Sequence, residues 1–61
     1  MKVSEVKKLL RKNGCCMVRQ GSRHEIWISP MTGKKFQVPR HASQEVATGT
    51  LDSIKESAGI D

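Results

Sequence analysis

His24-Glu25-Ile26-Trp27-Ile28, a break at Ser29-Pro30-Met31-Thr32-Gly33, then Lys35-Phe36-Gln37-Val38-Pro39: these two runs set the architecture. Both runs hold β-branched and aromatic residues, which suit a pleated, half-buried surface. In the first run, alternation puts His24, Ile26 and Ile28 on one face and Glu25 and Trp27 on the other. In the second, Phe36 and Val38 share a face. Pro39 has no N–H to give to a ladder, so it ends the strand or lies at an edge. The Pro and Gly between the runs mark a hairpin connection. Upstream, Gln20-Gly21-Ser22-Arg23 reads as a turn and residues 15–20 as another short strand. Three strands joined this tightly form an antiparallel meander.

Outward from the strands, both flanks read as helices. Val3, Val6, Leu9 and Leu10 recur at helical spacing, with Lys7, Lys8, Arg11 and Lys12 on the other side of the wheel. Ser4 is the expected N-cap, and Asn13-Gly14 the stop. After Pro39, residues 40–49 are polar and irregular, with at most a short helical turn at Ser43–Val46. Thr48 or Thr50 is expected to cap a second helix with the apolar stripe Leu51, Ile54, Ala58. Gly59 ends it, and Ile60 folds back as the hydrophobic contact after the cap. The predicted fold class is α+β, an α-β-β-β-α two-layer sandwich. A three-stranded antiparallel sheet carries two helices on one face.

The whole chain has 61 residues, so one domain over residues 1–61 is expected. It leaves no room for a nucleotide-binding sheet, a barrel or a deep substrate cavity. Net charge is +5, divided as +8 over residues 1–41 and −3 over residues 42–61. One basic side facing an anionic partner is the natural reading. With Trp27 and Phe36 as the aromatic residues, a multi-aromatic base-stacking platform is not expected. No segment approaches the ~20 apolar residues of a membrane span. Met1-Lys2-Val3-Ser4-Glu5 has no signal-peptide character, so a cytoplasmic location is expected. Adjacent Cys15 and Cys16 are read as reduced thiols, one packed and one nearer solvent. With His24 and His41 they stand in no zinc-site spacing.

Acid–base chemistry near neutral pH calls for His, and there are two. His24 stands where a turn passes into a strand, with Arg23 and Arg19 in reach to hold a phosphate. A His so placed can take the proton of a ribose 2′-hydroxyl, whose oxygen then attacks the adjacent phosphorus. RNA thus supplies its own nucleophile, and a small domain can host the reaction without a cleft. His24 can equally be a surface strand residue. His41, at the exit of the third strand, can pair with His24 as acid to base, cap a backbone group, or sit idle. Ser22 has no legible base–orienter pair and reads as a turn or capping residue.

Gly21-Ser22-Arg23-His24 opening the second strand, and Val38-Pro39-Arg40-His41 closing the third, resemble the HicA (YcfA-like) toxin family. Gly49-Thr50-Leu51-Asp52-Ser53-Ile54 followed by Ala58-Gly59 is similar to that family's final helix. The likeness runs from the Lys-rich first helix to Gly59. It implies a double-stranded-RNA-binding-domain-like fold and an mRNA interferase toxin of a type II toxin–antitoxin pair. It implies that His24 is catalytic, that no metal or cofactor is required, and that a HicB-type antitoxin covers the active site in a hetero-oligomer. Gly21, Ser22 and Arg23 then support His24: Gly21 makes the turn and Ser22 offers a hydrogen bond near the scissile phosphate. Lys7, Lys8, Arg11, Lys12, Arg19, Lys34, Lys35, Arg40 and His41 become the mRNA-binding set, working mainly through phosphate neutralisation. The competing reading is a non-catalytic module that binds double-stranded RNA.

Overall fold

The computed structural model describes residues 1–60; Asp61, counted above with the acidic tail, lies outside them. Helix α1 spans Val3–Lys12, strands β1, β2 and β3 span Cys16–Gln20, His24–Ile28 and Lys35–Pro39, and helix α2 spans Thr48–Ala58. The sheet is antiparallel in the order β1-β2-β3. This is the α-β-β-β-α sandwich expected from the strand pattern. Among the described residues no helix is long and apolar enough to cross a membrane.

The alternation of β2 holds. Glu25 and Trp27 are buried, His24 is exposed, and Ile26 and Ile28 are half-buried on the other face. Register pairs Trp27 with Phe36 and Glu25 with Val38, so the buried positions of β2 and β3 share one face. That face meets Val3, Val6 and Leu10 of α1 and Ile54 and Ala58 of α2 in one core. Leu51 and Ile60 pack on it from outside. β1 contributes nothing to the core, for its five residues are all exposed. Its pairing with β2 slips between Met17 and Arg19. Cys15, expected as the first strand residue, lies before β1 and is buried, while Cys16 is exposed.

Both helices start elsewhere than their side chains suggested. The N-cap of α1 is Lys2, not Ser4. The N–H groups of Val3 and Ser4 donate to the carbonyls of Gln44 and Ala42, at 2.9 and 3.1 Å. Backbone from the 42–44 turn thus does what a Ser side chain was expected to do. Helix α2 is N-capped by Ala47, with no side-chain cap; Thr48 is already helical and Thr50 lies inside the first turn. No helical turn forms at Ser43–Val46. The chain turns one step earlier, closed by the Gln44 N–H on the His41 carbonyl at 3.0 Å.

Both helices end alike. Gly14 and Gly59 follow α1 and α2 with φ of 84° and 77°. Cys15 N–H reaches back to the Leu10 carbonyl and Ile60 N–H to the Lys55 carbonyl, each at 2.9 Å, in the pattern of the Schellman motif. Both glycines face the β2–β3 loop. A Cβ on Gly59 would stand 2.9 Å from Thr32 Cγ2, and one on Gly14 3.3 Å from Pro30 Cγ. The loop is then stitched to α2. Ser29 Oγ donates to the Ala58 carbonyl and Thr32 Oγ1 to the Ser57 carbonyl, both at 2.6 Å.

Candidate active site

The opposite end of the sheet holds the candidate site. His24 opens β2 directly after the Gly21–Arg23 turn, and Pro39 is its partner across the ladder. The turn is tight: Gly21 N–H donates to the His24 carbonyl at 2.8 Å. A Cβ on Gly21 would approach that same carbonyl oxygen to 2.9 Å, closer than side chains tolerate. Glycine is therefore the residue that lets the chain pass His24 so closely.

Arg40 straps the turn from outside. Its Nη1 donates to the Ser22 carbonyl at 3.3 Å. With the Gln20 amide turned to present its oxygen, Arg40 Nε and Nη2 reach it at 3.0 and 3.1 Å. The Arg40 carbonyl in turn accepts from Lys7 Nζ at 3.3 Å. One ammonium and one guanidinium thus bind three segments: α1, the β1–β2 turn and the exit of β3.

Behind His24, on the core side, lies Glu25. Its carboxylate takes Lys7 Nζ at 2.9 Å and the Trp27 indole N–H at 3.0 Å. The side chains of this ion pair are 13% and 9% exposed, so it is largely withdrawn from water. Burial pushes the Glu25 carboxyl up, but the hydrogen bonds from Lys7 and Trp27 and the charges of Lys7 and Arg11 outweigh it. The pKa stands below its ordinary value. Arg11 completes this corner, its guanidinium 5.3 Å from the centre of the Trp27 ring.

Three shallow grooves meet at His24. One of about 280 Å³ is lined by Arg19, Gly21, Ser22, Arg23, Ile26 and Gln37. A second, about 350 Å³, is lined by Arg23, Pro39, His41 and Gln44. The third, about 540 Å³, runs between β3 and α2 past Lys35, Gln37, Gly49, Thr50 and Ser53. All three are open to solvent. Arg19, Gly21, Ser22, Arg23 and His41 therefore gather around His24, while Lys35, the partner of Ile28, lines the far end of the third groove.

Other residues of the expected RNA set stand apart. Lys8 and Lys12 line a separate depression on α1 with Met1, Glu5 and Leu9. Lys34 belongs to the β2–β3 loop, at the far end of the sheet. Lys7 is held by Glu25 and Arg40 and Arg11 by Trp27, so both have protein partners already. Sequence reasoning did not find Gln37, Gln44, Thr50 or Ser53, which line the grooves as uncharged polar groups. The spacing of Thr50 and Ser53 on one side of α2 was a usable signal. It also did not find the Glu25–Lys7 pair, although alternation had placed Glu25 on the Trp27 face. Among the described residues no group of three or more His, Cys, Asp or Glu side chains is gathered to hold a metal ion.

A family model described as the HicA toxin of bacterial toxin–antitoxin systems matches residues 3–60. No curated protein and no solved structure gives a match. The match spans both helices and all three strands, and with them the whole groove system around His24. The chain belongs to the HicA toxin family of bacterial toxin–antitoxin systems.

Proposed function

We propose that the chain is an endoribonuclease, an mRNA interferase that cleaves by transesterification without a metal, with His24 as its base. The observation that carries this reading is the exposed His24 at the junction of three open grooves, with Arg19 and Arg23 lining one of them. His24 takes the proton of a ribose 2′-hydroxyl, and the 2′-oxygen attacks the neighbouring phosphorus. The 5′-oxygen leaves, giving a 2′,3′-cyclic phosphate and a 5′-hydroxyl end. Arg19 and Arg23 offset the charge that develops on the phosphoryl oxygens. Gly21 and Ser22 shape the turn that presents His24, and Arg40 holds that turn. Lys8, Lys12, Lys34 and Lys35 attract the rest of the RNA chain through its phosphates, with Lys7 and Arg11 contributing charge from behind, and His41 meets the substrate in the groove it shares with His24.

The setting is the cytoplasm. A HicB-type antitoxin is the partner, bound as a hetero-oligomer over the grooves at His24. His24→Ala is the test. Cleavage of RNA should fall about 10²–10⁴-fold, the usual contribution of a general base, while thermal stability and RNA affinity stay close to the parent. Cleavage at the parent rate would sink the assignment. Salt-dependent duplex binding by both proteins with no cleavage by either would leave the non-catalytic double-stranded-RNA module as the function.

A further inference from the structure

We propose that His41 is the general acid of this cleavage, handing its proton to the departing 5′-oxygen. The inference rests on the ribonuclease reading of His24. Its basis is the way two segments are tied together at the open end of the sheet. Pro39 is the ladder partner of His24. Two residues beyond Pro39, past the end of the ladder, the chain reaches His41. The chain is held to that course on both sides of His41. Arg40 Nη1 donates to the Ser22 carbonyl and Lys7 Nζ to the Arg40 carbonyl, each at 3.3 Å. Beyond it, the His41 carbonyl accepts from Gln44 N–H at 3.0 Å. His24 and His41 then line a single groove of about 350 Å³, with Arg23 lining it too.

A phosphodiester in that groove meets two imidazoles carried by different segments, and a guanidinium for its non-bridging oxygens. In-line displacement asks for two proton transfers at separate oxygens, one to a base and one from an acid. As the 2′-oxygen–phosphorus bond forms, the phosphorus–5′-oxygen bond breaks. The 2′-hydroxyl proton goes to His24, and the His41 proton goes to the 5′-oxygen. Each turnover moves one proton from His41 to His24, and exchange with water resets both. Ser22 and Gln44 hold neither role, since neither releases a proton readily near neutrality.

The test uses the full chain and an oligoribonucleotide with one mapped cleavage site. A second substrate carries sulfur in place of the 5′-bridging oxygen at that linkage. A thiolate departs without protonation, so it removes the need for an acid. On the oxygen substrate, His41→Ala should lower kcat about 10²-fold with KM nearly unchanged. On the sulfur substrate most of that loss should vanish, whereas His24→Ala should stay slow on both. His41→Gln, similar in size and without a titrating ring, should match His41→Ala. An equal loss on both substrates, or no loss on the oxygen substrate, overturns the role of His41 and leaves His24 as base. No cleavage by the parent protein, or parent-rate cleavage by His24→Ala, overturns the ribonuclease reading and this inference with it.

Discussion

Where β2 passes into β3, neutral hydroxyls close the structure: Ser29 and Thr32 donate to the last carbonyls of α2, and both helix-ending glycines face the loop. Where β1 passes into β2, charged groups hold the structure and leave it open. Arg40 reaches the turn, Lys7 reaches Arg40 and Glu25, and three grooves converge on an exposed His24. The two ends belong to one five-residue strand, yet they solve different problems. Short hydrogen bonds to the last carbonyls of a helix fix a fold. Long cationic side chains fix a turn while keeping positive charge near the surface. Neutral hydrogen bonds thus close one end and the proposed active site opens the other, and substitutions can separate them.

Glu25 is the most severe challenge to that division, since it lies at the open end but faces the core. Glu25→Ala leaves the Lys7 ammonium without its counter-ion and the Trp27 indole N–H without its acceptor, both largely buried. It should cost about 3 kcal/mol, read as a fall in the urea midpoint. The pH dependence sharpens the point. The folded pKa of Glu25 lies below its ordinary 4.5, so its contribution is present above 4.5 and lost as pH falls through the lowered value. Glu45 shares this direction through its hydrogen bond with the terminal ammonium. Comparing the parent with Glu25→Gln isolates the Glu25 share. The parent should lose more stability on acidification than the variant does.

Ser29→Ala tests the closed end. It orphans the carbonyl of fully buried Ala58 and removes the partner of the Met31 N–H at 3.2 Å. A loss of about 2 kcal/mol in thermal or urea unfolding is expected, with the cleavage rate per folded molecule unchanged. Gly21→Ala tests the open end in reverse. The added methyl presses on the His24 carbonyl, so cleavage should fall about tenfold, the rate cost of roughly 1.4 kcal/mol at the barrier. Its Tm should move far less than that of Ser29→Ala. Lys12→Ala should have the smallest effect. It should leave kcat alone and lower the slope of log affinity against log salt by about 0.7 for single-stranded RNA.

The pattern of residues made the sheet legible. Alternation in His24–Ile28 and in Lys35–Pro39 gave the buried faces directly, and glycines after each amphipathic run gave the helix ends. Helix starts were not legible in the same way. A cap read from sequence assumes that the helix must satisfy its own first N–H groups, through Ser4 or a Thr. Here Gln44 and Ala42 do so from about forty residues away in sequence, held by a bridge between Lys2 and Glu45. The site divides similarly. His24 and its turn could be picked out locally. The Arg40 strap and the Glu25–Lys7 pair arise when β3 and α1 are brought beside that turn, and nothing in the local spacing of any one of them announces it.

The slip in β1 carries a consequence for how the molecule behaves among its own copies. An edge strand usually offers a row of unpaired N–H and C=O groups on which another chain can grow a sheet. β1 is such an edge, and it bears exposed Met17 and Val18. Its ladder breaks between Met17 and Arg19, leaving Val18 outside the pairing. A bulge there bends and twists the strand. An incoming strand would find Cys16-Met17 and Arg19-Gln20 as two short runs in different register, with Arg19 charge repelling its like. Fibre growth needs a longer flat template than this. The β1 edge is thus a poor template for a strand from a second copy.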